Sequence, residues 1–263
     1  MTRFAQTRIS QIGLALVLGA VVALAPLPIR ASEGGNLLHS GANIEDQASL
    51  QRGAKYFSNY CLSCHSLKYM RWSRLASDLG LSEQQVMGSL NFAGTKFGEP
   101  ITTALVPADG DRWFGKAPPD LSLIARARPG GADYIYTYLK SFYLDAKRPL
   151  GWNNTVFPAA SMPNVLWELQ GSQAAIYDRH KVKDESGQEI EKEVFSHFEQ
   201  VKPGKMQPEE FDGVARDLSA FLEYVGEPAA LQRRDVGWKV ILFLALFTFV
   251  AWLLKVEYWR DVH

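Results

Sequence analysis

Cys61 and Cys64 are the only two cysteines in this 263-residue chain, and His65 directly follows the second. The order Cys61-Leu62-Ser63-Cys64-His65 restricts the chemistry. Two thiols three positions apart can reach the two vinyl groups of one haem, while the adjacent imidazole lies under the iron as an axial ligand. The spacing therefore predicts one covalently attached haem c with His65 as its first iron ligand. Three other uses of these residues compete with it. A disulfide at C-x-x-C spacing is more often a reactive redox pair than a structural staple. A thioredoxin-like site needs a βαβ setting, and no such pattern surrounds residue 61. A zinc site needs further ligands, and His39, His180, His197 and His263 show no paired spacing.

The second axial ligand has to come from elsewhere in the chain. Of the five methionines, Met1 falls in the leader, Met70 follows the cysteines too closely to reach the opposite face, and Met87 reads as core. Met162 stands in Phe157-Pro158-Ala159-Ala160-Ser161-Met162-Pro163, where two prolines stiffen a loop that could lie over the haem. Met206, just ahead of a terminal helical stretch, is its rival, and a histidine or an open position completes the alternatives. Any one methionine can also be simple core packing. On residue type and spacing alone the choice stays open.

The elements that must position these groups are mainly helical. From Asp46 to Tyr60, Leu50, Ala54 and Phe57 recur at helical spacing, with Gly53 on or near their face. A glycine inside a helix costs roughly 1 kcal/mol relative to alanine and commonly marks a close crossing. The expected partner is Pro208 to Gly226, with Val214, Leu218, Phe221, Leu222 and Val225 as its apolar face and proline and glycine as its punctuation. Between them the chain is rich in loops, broken by Pro100, Pro107, Pro118, Pro119, Pro129, Pro149, Pro158 and Pro163, with one helix predicted over Ala132 to Phe142. Loops this long need a function or an internal support, and a haem would supply it. Ala174 to Phe198 reads as a charged β-hairpin turning at Asp184-Glu185-Ser186-Gly187-Gln188. Residues 32 to about 45 are polar and suit a mobile lead-in.

The two ends have a different character. Arg3 and Arg8, an apolar run from Ile12 to Ala25, and Ile29-Arg30-Ala31 have the order of a secretory leader cleaved after Ala31; an uncleaved N-terminal anchor is the alternative. Gly237 to Val256 carries one charge, Lys239, and is long enough to cross a hydrocarbon core of about 30 Å. Trp238 on one side and Tyr258 with Trp259 on the other suit the two interfaces. The expected organisation is a leader over 1–31, a haem-binding domain over 32–230, a transmembrane helix over 231–256 and a tail over 257–263. The leader places the domain on the periplasmic side of the cytoplasmic membrane. A formal net charge of zero and 47% hydrophobic residues exclude a disordered tail protein, and no basic patch suggests nucleic acid.

Taken together, Cys61-Leu62-Ser63-Cys64-His65-Ser66-Leu67-Lys68-Tyr69, Ala117-Pro118-Pro119-Asp120-Leu121-Ser122, Ile124-Ala125-Arg126-Ala127-Arg128, the Ser161-Met162-Pro163 loop and the single anchor helix resemble the cytochrome c1 family, in its bacterial type. The resemblance covers nearly the whole exported domain and the tail. It implies a mainly α, class I cytochrome c-like haem domain with long loops and a small β-hairpin, plus one C-terminal transmembrane helix. It also implies Met162 as the second iron ligand, Pro119 in the wall of the haem pocket, and Arg128 with Tyr134 near a haem propionate, where a guanidinium suits a partly buried carboxylate. The implied function is single-electron transfer from the Rieske iron–sulfur protein to a soluble cytochrome c, beside cytochrome b, in the quinol–cytochrome c oxidoreductase of a respiratory or photosynthetic chain. No substrate chemistry of the chain's own is expected. The stretch Tyr177 to Phe198 is longer than in mitochondrial members, so partner contacts there do not carry over. Two rivals of other classes are a free-standing anchored cytochrome feeding a terminal oxidase, and a haem enzyme of the peroxidase kind, which would need an open sixth position.

Overall fold

A computed structural model describes residues 37–183 and 189–260. The leader predicted over 1–31 and the hairpin turn at 184–188 lie outside the described residues, as do 261–263. Helix α1 (Gln47–Tyr60) starts at Asp46, whose side chain accepts from the Ser49 amide and so satisfies one of the free amides of the first turn. A short strand β1 (Leu67–Arg71), helices α2 (Trp72–Leu79) and α3 (Glu83–Ser89), strand β2 (Pro100–Ile101) and helix α4 (Pro107–Phe114) follow, with β1 antiparallel to β2. Helix α5 (Ile124–Ala127) and helix α6 (Gly131–Lys140) lead into the paired strands β3 (Phe142–Leu144) and β4 (Trp152–Asn154). Helix α7 (Trp167–Gln170) precedes a long ribbon of β5 (Gly171–Lys183) and β6 (Glu189–Pro203), and helices α8 (Pro208–Gly226) and α9 (Ala230–Tyr258) complete the order.

The frame is the crossing of α1 and α8. A Cβ on Gly53 would stand 2.6 Å from the Phe221 Cβ and closer still to the Asp217 carbonyl, so only glycine lets the two backbones approach this far. Beside that contact the buried Asp217 carboxylate accepts from Ser49 Oγ at 2.6 Å and from Arg52 Nε and Nη2 at 2.6 and 2.9 Å. This two-pronged contact fixes the register of the crossing, and Phe57 packs on Phe221 beneath it. Helix α8 starts as its sequence suggests, with Pro208 in the first turn and a reciprocal Gln207–Glu210 capping box. Helix α6 lies against its other side, so the core joins both ends of the domain to its middle.

Three expectations need correction. The lead-in is tied down from its first described residues: Leu38 donates to Thr137 Oγ1 at 2.9 Å, and the Ser40 amide and hydroxyl donate to Asp133 Oδ1 at 2.8 and 2.6 Å. These bonds join groups more than 90 positions apart, which local composition does not report. Met87 is half-buried rather than core, its sulfur accepting from Asn91 Nδ2 at 3.5 Å. The middle holds more regular structure than its prolines suggest, because α2 to α5 and α7 span eight residues or fewer, too short for a periodic pattern to register.

Helix α9 begins seven residues before the predicted apolar stretch and continues through it. Its 29 residues are long and apolar enough to cross a membrane. Ile241, Phe243, Phe247, Phe249 and Trp252 are all exposed, an all-round apolar surface that suits lipid and not water.

Candidate functional site

The Cys61–His65 segment is a tight turn hung on the end of α1. The amides of Cys61 and Leu62 donate to the Phe57 carbonyl at 2.8 and 2.9 Å, and His65 donates back to the Cys61 carbonyl at 2.8 Å. The segment 119–122 is fastened alongside: Leu121 donates to the Ser66 carbonyl at 2.9 Å, Lys68 to Asp120 Oδ2 at 2.9 Å, and Tyr69 to Ser122 Oγ at 3.1 Å. This places the Pro119 carbonyl 2.7 Å from His65 Nδ1. With that nitrogen carrying the proton, the ring is held in one orientation and Nε2 is left as a lone-pair donor. Burial pushes the imidazole below the usual histidine range against the opposing pull of the Pro119 carbonyl and Asp120, which favours the neutral, ligating form. The Cys61 thiol is pushed up to about 12 by burial and then by Cys64. A thiol so reluctant to ionise is a poor redox nucleophile, which counts against the disulfide-exchange reading. Among the described residues no group of three His, Cys, Asp or Glu side chains is placed to hold a metal ion.

The opposite wall is an irregular loop held by side chains. Asn154, fully buried, donates through Nδ2 to the Tyr138 carbonyl at 2.9 Å and accepts from the Val156 and Phe157 amides at 2.9 and 3.0 Å. Asn153 Oδ1 accepts from the Ala159 amide at 2.8 Å, and Arg148 Nη2 donates to the Ala159 carbonyl at 2.9 Å. Ala159 itself has φ of 62°, a left-handed conformation that a non-glycine residue adopts only when its surroundings impose it. Three residues on, Met162 reaches the cavity, where its sulfur accepts from the Tyr138 hydroxyl at 3.6 Å. Met206 packs against the core and does not line the cavity.

The cavity between the two walls measures about 430 Å³ and is lined mainly by apolar side chains, among them Leu121, Ile124, Ile135, Leu139, Leu218 and Leu222. Cys61, Cys64, His65, Pro119, Arg128, Tyr134 and Met162 all lie on it, so the residues that the resemblance implies converge there and the rival Met206 does not. The two arginines of Arg126-Ala127-Arg128 part company. Arg126 turns away to pair with Glu227, while the Arg128 guanidinium lies 5.5 Å from the centre of the Tyr134 ring and 5.4 Å from that of Phe157, at the exposed edge of the cavity. A flat apolar ring system carrying two carboxylates fits such a space: a nitrogen donor and a sulfur donor both line it, and an arginine stands beside the aromatic rings of its wall. Reasoning from the sequence missed Tyr138, Asn153, Asn154 and Arg148. The Trp152-Asn153-Asn154 run was their one visible sign, since paired asparagines near prolines often bond to loop backbone.

The pattern of the Cytochrome C1 family matches residues 40–97 and 108–262. Cytochrome c1 of Allochromatium vinosum is 48% identical over 250 residues, which cover 94% of this chain and 99% of that protein. A protein of Nitrosomonas europaea named ammonia monooxygenase gamma subunit is 44% identical over 218 residues, covering 83% of this chain and 85% of that protein. Cytochrome c1 of Rhodospirillum rubrum is 29% identical over 304 residues and spans 100% of this chain and 99% of its own.

Proposed function

Because the chain belongs to the cytochrome c1 family, we propose that it is the haem c electron-transfer subunit of a cytochrome bc1 complex, carrying single electrons from a Rieske iron–sulfur protein to a soluble cytochrome c. The observation that carries this reading is the meeting of His65 and Met162 on one apolar cavity, with His65 Nδ1 already committed to the Pro119 carbonyl. A haem bound there would be held through thioethers to Cys61 and Cys64, with His65 Nε2 and the Met162 sulfur as the groups available to its iron, and it would supply one-electron chemistry. The thioether favours reduced iron and raises the potential relative to two nitrogen ligands, and the apolar wall acts in the same direction. Arg128 and Tyr134 hold a propionate, offsetting the burial of its charge.

Helix α9 anchors the domain in the lipid by a single pass, with residues 32–230 on the periplasmic side of the cytoplasmic membrane and 257–263 inside. The leader over 1–31 directs this orientation, and cytochrome b in the same complex handles the quinol. Affinity capture through a C-terminal tag from detergent-solubilised membranes tests the assignment. Cytochrome b and a Rieske protein should be recovered together with this chain. Recovery of the chain alone would instead mark a free-standing cytochrome, and recovery with a monooxygenase would align it with the Nitrosomonas protein.

A further inference from the structure

Helix α6 places one polar atom against the proposed sixth ligand. The Tyr138 hydroxyl lies 3.6 Å from Met162 Sδ, and no other side-chain partner of that hydroxyl occurs among the described residues. The phenol is not free to swing. Its ring stacks on Tyr134 at 6.0 Å and an interplanar angle of 16°, and meets Phe142 edge-on at 5.0 Å and 75°. Both ends of the contact are also held to one buried side chain: Asn154 donates to the Tyr138 carbonyl and accepts from the Val156 and Phe157 amides of the loop that carries Met162. The distance between hydroxyl and sulfur is therefore set by the same network that shapes the loop.

We propose that Tyr138 is a positioning residue whose hydroxyl donates a hydrogen bond to the Met162 thioether and thereby raises the reduction potential of the haem. The inference rests on the reading of Met162 as iron ligand. A thioether sulfur has two lone pairs and is a weak hydrogen-bond acceptor. When one pair ligates the iron, an O–H donated to the other draws electron density away from the sulfur–iron bond. The loss is felt most by the ferric state, which is the poorer in electrons, so the ferrous state is favoured. In an apolar surround the O–H dipole is less screened than in water, and its positive end directed at the sulfur works in the same sense. The same withdrawal makes the ferric iron–sulfur bond easier for an outside ligand to displace.

Tyr138→Phe removes the oxygen and keeps the ring stack. Tyr136→Phe is the control on the same helix, since the Tyr136 hydroxyl accepts from Lys140 Nζ at 3.1 Å and does not line the cavity. In the detergent-solubilised full chain, Tyr138→Phe should shift the midpoint potential downward and raise several-fold the imidazole concentration needed to displace the sulfur ligand from ferric haem, followed by visible spectroscopy. Tyr136→Phe should do neither. A Tyr138→Phe protein matching wild type and Tyr136→Phe in both readouts, or one whose potential rises, overturns the proposal and leaves the hydroxyl a packing group. Carbon monoxide keeps the two ideas apart: a reduced wild-type protein that binds it readily lacks a sixth protein ligand, and then the Met162 reading fails together with the inference built on it.

Discussion

The two walls of the cavity are built on opposite principles. The Cys61–His65 wall is continuous with α1, its turn closed by backbone hydrogen bonds between residues four or five apart. The Met162 wall has almost no regular structure. Asn153, Asn154 and Arg148 bond to its backbone one group at a time and hold Ala159 in a conformation that its side chain disfavours. One wall is local and would be nearly complete as a peptide pattern; the other exists only when distant segments have docked. A site whose two proposed ligands depend on such different supports should lose them in different ways.

The largest effect is expected on the first wall. Cys61→Ala with Cys64→Ala removes both thiols the chain possesses, so haem staining on a denaturing gel should disappear entirely. Staining that persists would falsify covalent attachment at this site. On the second wall the effect should be confined to the iron. Met162→Leu conserves apolar volume, at a packing cost usually below about 1.5 kcal/mol, so the fold should survive. The reduced haem should then bind carbon monoxide and its potential should fall. Met206→Leu should change neither, because Met206 packs on the core away from the cavity. The reverse outcome for the pair would assign the ligand to Met206.

The same contrast explains what could be read before the fold was seen. Cys61, Cys64 and His65 declare themselves through spacing, and the crossing of α1 with α8 through Gly53 and the bounds Pro208 and Gly226, because helix period and punctuation are local properties. The hairpin too follows from β-branched and aromatic residues on either side of a polar turn sequence, although β5 and β6 run on to Gly171 and Pro203, beyond the predicted ends. Met162 against Met206 could not be decided from residues alone, since what separates them is which loop meets the cavity. Without the resemblance to a family, the choice would have waited for the fold. Arg126 and Arg128 are equally indistinct in sequence; α5 ends between them and the backbone turns extended at Arg128, which sends one to Glu227 and the other to Tyr134. The clasp of Ser40 on Asp133 joins distant residues and left no local trace.

The smallest expected effect on the iron is also the most specific test of the second wall. Asn154→Ala removes three hydrogen bonds from a fully buried position, leaving the Tyr138 carbonyl and the Val156 and Phe157 amides without their partner. Each stranded buried group costs about 1–3 kcal/mol, but the cavity left by the lost amide can admit water to part of them, so a net loss on the order of 3 kcal/mol is expected. Asn153→Ala should cost less although its side chain also makes three hydrogen bonds, to the Asp145 carboxylate and from the Asn154 and Ala159 amides, because its position is half-exposed and solvent can replace part of them. Denaturant unfolding of the two variants measures that order. The site adds a second measure: if these asparagines hold the loop and not merely the fold, the reduced Asn154→Ala protein should take up carbon monoxide slowly while still native, as the loop lifts and Met162 leaves the iron for part of the time. The wild-type protein should not, and Asn153→Ala should fall between them. An Asn154→Ala protein destabilised as expected yet inert to carbon monoxide would mean that the flanking Pro158 and Pro163 hold Met162 in place unaided, and the two walls would then differ less than their hydrogen bonds suggest.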